Sequence, residues 1–287
     1  MTAWTTSAGD WRDGAGWLPR VMADHPGWRL DDDGRLRRLV WSPDAVWLVV
    51  ASPSPDGGHE IGLERVAGRS GTEPRVDVVD PAVLTGTGSR LGEVLLAAGP
   101  VVRVRTGDLW DALVGAVFRD AMPCYRARAV YRATAVNFGT GHDTSLGREW
   151  VFPGPALVLE LPPEVFDVDG LRQVRDRLRT VAWVARELES RWRAVPWDGL
   201  ATLLAHVPRI RSLIGGAAIA DLSGDFRALA TSDFLVKQHV HALDPTTPWP
   251  RSAEHFGARW QAMTGIERSA WTTLVLAAGA WHTRRVP

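Results

Sequence analysis

The sequence contains one cysteine, Cys124, and one lysine, Lys237, among its 287 residues. A single thiol excludes an internal disulfide framework and any zinc or iron–sulfur site built from several cysteines. No apolar run approaches the roughly 18 residues that a membrane-spanning helix needs, and the opening MTAWTTSAGDWRDG lacks the basic and apolar segments of a secretory signal. We therefore expect a cytoplasmic protein without a membrane segment.

The net charge is zero, with 33 basic and 33 acidic residues, but the two signs are unevenly spread. Residues 1–100 hold 10 arginines against 14 acidic residues, and the remainder is basic by the same margin. An imbalance of this size permits an anionic partner without requiring one. Hydrophobic residues make up 45% of the chain, which is typical of a globular protein.

Two kinds of periodicity divide the chain. Short alternating or β-branched runs predict strands at 35–42, 45–52, 59–66 and 74–80, followed by a short helix at 89–99. From Thr106 onward the apolar residues recur at helical spacing, most clearly over 169–193. Further helices are predicted at 197–207, 213–222, 252–263 and 267–282. The fold class is therefore α+β, with an N-terminal antiparallel sheet domain at 1–100 and a helical domain at 101–287.

Common catalytic and metal-binding motifs are missing from the sequence. It contains no Walker loop, no HExxH and no GxSxG. His239 and His241 lie two residues apart in a helical run, so they face different directions and are predicted to be surface residues. We expect neither a metal nor a cofactor.

The stretch TSDFLVKQ contains a candidate catalytic carboxylate, Asp233. The apolar–polar run after it predicts a helix, and Ser232 or Asp233 would be its N-cap. Capping aspartates greatly outnumber catalytic ones, so the residues alone favour a structural role. About twenty residues earlier, LLAHVPRIRSLIGGAAIADL predicts two helices joined by a tight turn, with small residues such as Gly216 permitting close approach of a neighbouring backbone. The residues alone favour a plain helical hairpin for that segment, although a helix N-terminus with arginines beside it also suits a phosphate.

Taken in order, several segments resemble the helix-hairpin-helix DNA glycosylase family, most closely its DNA-3-methyladenine glycosylase II branch. The resemblance covers roughly 100–282. The segments that carry it are RTGDLWDALVGAVFRDAM, VFPGPALVLE, FDVDGLRQVRDRLRTVAW, HVPRIRSLIGGAAIADL, SDFLVKQ and ERSAWTTLVLAAGAW. The N-terminal sheet is similar in kind to the extra domain of that branch. The resemblance implies an all-α glycosylase bundle after the sheet.

The resemblance also implies roles for individual residues. Asp233 falls on the family's catalytic aspartate. The DNA-contacting positions would be Pro208, Arg209, Ile210, Arg211, Ser212, Ala121 and Met122. The base pocket would include Leu213, Ala217, Trp271 and Leu276.

Several of these positions depart from the family pattern. Arg209 and Arg211 replace the two glycines of the family hairpin, where glycine permits positive φ and close approach to a phosphate. Leu213, Ala217 and Leu276 replace pocket aromatics, which favours a bulkier adduct or a labile cationic base over a small methylated one. Asp120 and Ala121 replace the Gln-Leu of the DNA wedge, so that Met122 would have to supply the apolar plug. Ser232 stands where the family has another aspartate.

The implied activity is removal of a damaged base from double-stranded DNA by a monomer, nucleoid-associated when bound. Asp233, ionised at a helix N-terminus, would stabilise the sugar cation and orient water. Bifunctional relatives carry a lysine at the position of Leu213, so this chain is predicted to lack lyase activity. Two alternatives remain: a catalytically inactive DNA-binding homologue, and a helical protein with no nucleic-acid role.

Overall fold

The computed structural model describes residues 20–282 apart from 43, 56–57, 69–70, 86–87, 168–169 and 211. Its architecture is α+β, with a sheet-rich N-terminal part followed by helices, which confirms the predicted fold class. Strands found in the described residues are β1 (Arg20–Val21), β2 (Arg29–Leu30), β3 (Leu36–Ser42), β4 (Ala45–Pro53), β5 (His59–Ala67), β6 (Val76–Val79), β7 (Val101–Val104), β8 (Thr140–Thr144) and β9 (Gly147–Val151).

The main sheet has the order β2-β3-β4-β5 and is antiparallel throughout. β4 is buried almost from end to end, because the sheet is covered on both faces. Trp47 and Val49 point into one apolar cluster, whereas Leu48 and Val50 point into another that includes Val151 of β9. The β8–β9 hairpin therefore covers the second face, a role that the strand pattern of the sequence did not predict.

A second, smaller sheet has the order β1-β7-β6. β6 pairs with β7 in antiparallel fashion, and β1 pairs with β7 in parallel. β7 begins at Val101, so the sheet-forming part of the chain continues past residue 100. The domain division at that residue stays a prediction.

The helices follow the predicted order, with additional ones that the periodicity did not reveal, such as the helix at 124–138. Their bounds are α1 (Arg90–Ala98), α2 (Leu109–Ala121), α3 (Cys124–Phe138), α4 (Pro155–Glu160), α5 (Leu171–Leu188), α6 (Trp197–Ala205), α7 (Ser212–Ser223), α8 (Phe234–Leu243), α9 (Ala253–Thr264) and α10 (Arg268–His282). α5 is shorter than the predicted 169–193, because Glu189 adopts φ 26° and the chain continues as a 3₁₀ turn over Glu189–Ala194.

α6 and α7 form the helical hairpin that the sequence predicted. The small residues of α7 have the expected use: a Cβ added at Gly216 would lie 2.4 Å from the carbonyl oxygen of Ala228. Any larger residue there would push the backbone of the 3₁₀ turn at Phe226–Ala228 away from α7.

The helices pack into two apolar clusters. The first, the α2 cluster, gathers residues of α2, α3, α5, α6 and α7 around buried side chains such as Phe118 and Leu178. The second, the α10 cluster, gathers residues of α1, α8, α9 and α10 around Trp260 and Trp271. Ala217 of α7 packs against both clusters. A junction between two such clusters is a common place for a ligand cavity.

Candidate active site

Asp233 is the N-cap of α8, as the sequence predicted. Its side chain accepts a hydrogen bond from the backbone N–H of Val236 at 3.0 Å, and its own carbonyl accepts from the N–H of Lys237 at 3.0 Å. The carboxylate is half-buried and held in one orientation by the helix start.

Asp233 lines a cavity of about 830 Å³ at the junction of the two clusters. One part of the wall is apolar and comes from α2, α7, α8 and α10 together with the segment before α8. The apolar lining residues are Ala116, Met122, Leu213, Ala217, Phe226, Leu229, Leu235 and Leu276. This volume and this mixture of apolar wall with a few polar groups are typical of a small-molecule pocket, and the cavity is large enough for a base.

Burial raises the pKa of the Asp233 carboxyl above its ordinary value. The amides of Val236 and Leu235 and the guanidinium of Arg119 lower it, while the negative charge of Asp120 raises it further. The helix start therefore acts in the expected direction, but desolvation outweighs it. A carboxylate with a raised pKa is a better proton acceptor than an exposed one.

A buried ion network forms another part of the cavity wall. Arg119 on α2 donates to Asp24 and, at 2.5 Å, to Oδ2 of Asp221 on α7. Arg103 of β7 donates to Oδ1 of Asp221 at 3.2 Å and lies over the ring of Phe226. These neighbouring carboxylates raise the pKa of Arg119, which therefore stays charged. The network ties the N-terminal sheet to the helices beside the cavity.

The sequence contained no local signal for this network. Asp24 and Asp221 lie 95 and 102 residues from Arg119, so that no spacing pattern relates them. The packing of α2 against α7, with the segment after β1 beside α2, brings them together.

Three of the four predicted pocket residues line the cavity: Leu213, Ala217 and Leu276. Trp271 does not line it, since its side chain is 1% exposed and packs edge-on against Trp260 at a centroid distance of 6.4 Å. Its place is in the α10 cluster.

The predicted wedge residues lie at the end of α2. Ala121 is half-buried and does not line the cavity, whereas Met122 lines it from below the surface and is 7% exposed. The next aromatic along the chain, Tyr125, also lines the cavity and is 78% exposed. Tyr125 is not among the site residues predicted from the sequence.

The hairpin turn stands outside the cavity lining. Pro208 and Arg209 are exposed, Ile210 is buried, and Ser212 is the first residue of α7. Arg211 lies outside the described residues. Arg209 adopts φ 68°, the left-handed conformation that glycine favours, and its guanidinium pairs with Asp176 at 3.1 Å. The turn thus has a positive-φ residue even though an arginine occupies the position.

The prediction that both histidines of α8 are surface residues is wrong for His239. It is 9% exposed, lines the cavity and packs against α10, where a Cβ at Gly279 would lie 2.1 Å from its ring. The glycine that makes this room is 40 residues away along the chain, so the local pattern could not reveal it.

Within the described ranges, no group of three or more histidine, cysteine or acidic side chains could hold a metal ion. None of the helices in that part of the chain has the length and apolar character needed to cross a membrane.

No protein-family model matches the sequence, and no curated protein is significantly similar to it. Solved structures, however, resemble the chain. A Clostridium acetobutylicum 8-oxoguanine glycosylase/lyase in complex with double-stranded DNA superposes with a TM-score of 0.62 at 8% identity, over 91% of this chain and 90% of that chain. A 3-methyladenine DNA-glycosylase from Archaeoglobus fulgidus superposes with a TM-score of 0.60 at 14% identity, over 88% and 89%.

The chain shares its fold with these solved DNA glycosylase structures. A third structure, MBOgg1 in complex with a low affinity DNA ligand, gives a TM-score of 0.62 at 12% identity over 91% of this chain and 90% of that chain. Because each superposition spans about nine-tenths of the chain, the shared fold includes the N-terminal sheet as well as the helices.

Proposed function

We propose that this chain is a monofunctional DNA glycosylase that hydrolyses the N-glycosidic bond of a damaged base in double-stranded DNA. The observation that carries the proposal is Asp233, a half-buried carboxylate fixed at a helix N-terminus in the wall of a base-sized cavity. The DNA glycosylase fold supplies the context in which such a carboxylate has a chemical use.

In the proposed reaction the damaged nucleotide leaves the duplex and its base enters the cavity. The bond between the base nitrogen and C1′ breaks, the electron pair leaves with the base, and positive charge develops on the sugar. The Asp233 carboxylate stabilises that charge. Water then attacks C1′ and gives up a proton, which the raised pKa of Asp233 helps the carboxylate to accept.

The proposed lack of lyase activity is supported by the position of the single lysine in the sequence. Lyase chemistry needs an amine that forms a Schiff base with the sugar. Lys237 is half-buried on α8, its Nζ donates to the carbonyl of Arg251 at 3.0 Å, and it does not line the cavity. We expect borohydride to trap no covalent complex with DNA containing an abasic site; a trapped complex would show that an amine takes part.

The cavity favours a large or cationic damaged base. Small and aliphatic residues, including Leu213 and Ala217, leave room beside the apolar wall. The charged lining consists of four carboxylates and two guanidiniums, namely Asp24, Asp120, Asp221, Asp233, Arg119 and Arg128. Asp24 and Asp221 are paired with arginines of the buried network, and Asp120 is paired with Arg177. The attraction for a positively charged base therefore comes from the Asp233 carboxylate. Faster release of 3-methyladenine than of larger N3- or N7-adducts would contradict the preference for size.

The partner under this proposal is double-stranded DNA, engaged by a monomer in the cytoplasm and at the nucleoid. The positive-φ turn of the hairpin and the exposed Arg209 are suited to contact the phosphate backbone. The ion pair with Asp176 is exposed, so phosphate can replace it at little cost.

The test is base release from alkylated duplex DNA by the wild type and by Asp233→Asn. Asparagine caps a helix as well as aspartate does, so the substitution removes charge while preserving the helix start. Asp225→Asn is a matched control, because Asp225 also caps a turn through its side chain but does not line the cavity.

Three results are distinguishable. Loss of base release with DNA binding retained in Asp233→Asn, and normal release in Asp225→Asn, supports the enzyme. Binding without release by the wild type would instead identify a catalytically inactive DNA-binding homologue. No affinity for DNA at low salt would remove the nucleic-acid role altogether.

A further inference from the structure

The sequence has two tyrosines, and they occupy opposite environments. Tyr131 is 7% exposed and packs against Phe152 at a centroid distance of 4.9 Å. Tyr125, two turns earlier on α3, is 78% exposed. A ring this exposed contributes little to the core, so it is free to contact another molecule.

Tyr125 is exposed at one particular place, the edge of the cavity that holds Asp233. Met122, three residues earlier, lines the same cavity but is 7% exposed and belongs to the α2 cluster. It therefore presents almost no surface to a duplex lying over the cavity mouth. Most of the Tyr125 ring, by contrast, is accessible to such a duplex.

The charge of α3 suits a nucleic acid. The helix Cys124–Phe138 carries Arg126, Arg128 and Arg132 and contains no acidic residue. A helix of this charge next to the cavity attracts the phosphates on either side of an extruded nucleotide. The other exposed aromatic at the cavity, Phe234, is 64% exposed and adjoins Asp233, but α8 carries only one basic residue besides its histidines.

We propose that Tyr125 is the side chain that enters the base stack of duplex DNA and fills the gap left by the extruded nucleotide. This inference rests on the proposed function, because it requires a base taken out of a duplex into the Asp233 cavity. An aromatic ring suits the task, since it stacks on any base without regard to sequence. Proteins that insert side chains between base steps unstack and kink the duplex in this way.

The first test measures insertion of the Tyr125 side chain separately from base release. A duplex carrying a tetrahydrofuran abasic analogue with 2-aminopurine as the neighbouring base fluoresces more when that base is unstacked. We expect the wild type and Tyr125→Phe to raise the fluorescence several-fold at saturation, and Tyr125→Ala to leave it near that of free duplex. Trp183→Ala is the matched control: Trp183 is 54% exposed on α5 and does not line the cavity.

The second test separates insertion from a general structural role. We expect Tyr125→Ala to slow base release from alkylated duplex DNA by about tenfold or more, and to slow release from alkylated single strands far less, because a single strand has no stack to fill. Circular dichroism and thermal unfolding check that the variant folds, as an exposed side chain leads us to expect.

The outcomes separate the inference from the proposed function. Base release with an unchanged 2-aminopurine signal and an unchanged rate in Tyr125→Ala would keep the glycosylase and overturn the role of Tyr125. The same duplex-specific defect in Phe234→Ala alone would give the role to Phe234 and overturn the inference too. A Tyr125-dependent fluorescence rise without any base release would refute the enzyme and support the insertion.

Discussion

Nη2 of Arg119 lies 2.5 Å from Oδ2 of Asp221, and both groups are shielded from solvent beside the cavity. Arg119 and Asp221 belong to different helices, α2 and α7, so the pair holds together two walls of the candidate active site. Because Arg103 and Asp24 complete the network, its charges are balanced locally. Removing one member leaves a buried charge without compensation.

We therefore expect Asp221→Ala to lower the free energy of unfolding by about 3–5 kcal/mol, measured by urea denaturation. Arg90→Ala breaks the exposed pair between Arg90 and Glu93, at 3.1 Å, and should cost no more than about 1 kcal/mol. Similar losses in the two variants would mean that the network near the cavity is as weak as a surface pair.

The raised pKa of Asp233 has a consequence for stability. A carboxyl whose pKa is higher in the folded state than in the unfolded chain stabilises the fold at low pH, and this contribution is lost as the pH rises through the folded pKa. Asp233→Asn does not titrate. We expect the melting temperature of this variant, relative to that of the wild type, to increase as the pH rises from below 4 to 7. A gain in the opposite direction would show that the helix amides outweigh burial.

Arg209 allows the strain of the hairpin turn to be measured. Arg209→Gly removes the ion pair with Asp176 and relieves the left-handed backbone, whereas Arg209→Ala removes the same pair and keeps the strain. The glycine variant should unfold with a free energy higher than the alanine variant by about 1–2 kcal/mol. Equal stability would indicate that the turn relaxes to negative φ when the arginine is removed.

Two neighbouring glycines of α7 provide a test of its packing. A Cβ at Gly216 would meet the carbonyl oxygen of Ala228 at 2.4 Å, while the nearest atom to a Cβ at Gly215 would be in the side chain of Leu204, at 3.2 Å. We expect Gly216→Ala to destabilise the fold by about 1–3 kcal/mol. Gly215→Ala should be close to neutral, because the higher helix propensity of alanine offsets the tighter contact. Thermal unfolding of the two variants side by side checks this difference.

Local patterns predicted the parts of the fold that depend on neighbouring residues. The helical period of 169–193 located α5, and the capping residues located the start of α8 at Asp233. Residues brought together across the chain were not predictable in this way. His239 is buried because α10 has a glycine opposite it. Arg119 reaches Asp221 because α2 packs against α7, and it reaches Asp24 because the segment after β1 lies beside α2.

The candidate site shows the same division. Resemblance to a family placed Asp233, Leu213, Ala217 and Leu276 together, and all four line one cavity. It also implied Trp271, which packs against Trp260 in the α10 cluster and does not line the cavity. The resemblance gave no indication of Tyr125, because the exposure of that side chain depends on the packing of α3 in the folded chain.

The positive φ of Arg209 shows what determines the shape of the hairpin. Glycine makes such a turn easy, but the flanking helices α6 and α7 impose it here on a residue that disfavours it. The packing of these two helices fixes the backbone of the turn, and the residue type in the turn has less influence on that backbone. Residues of such a turn can therefore change while the path of its backbone is kept.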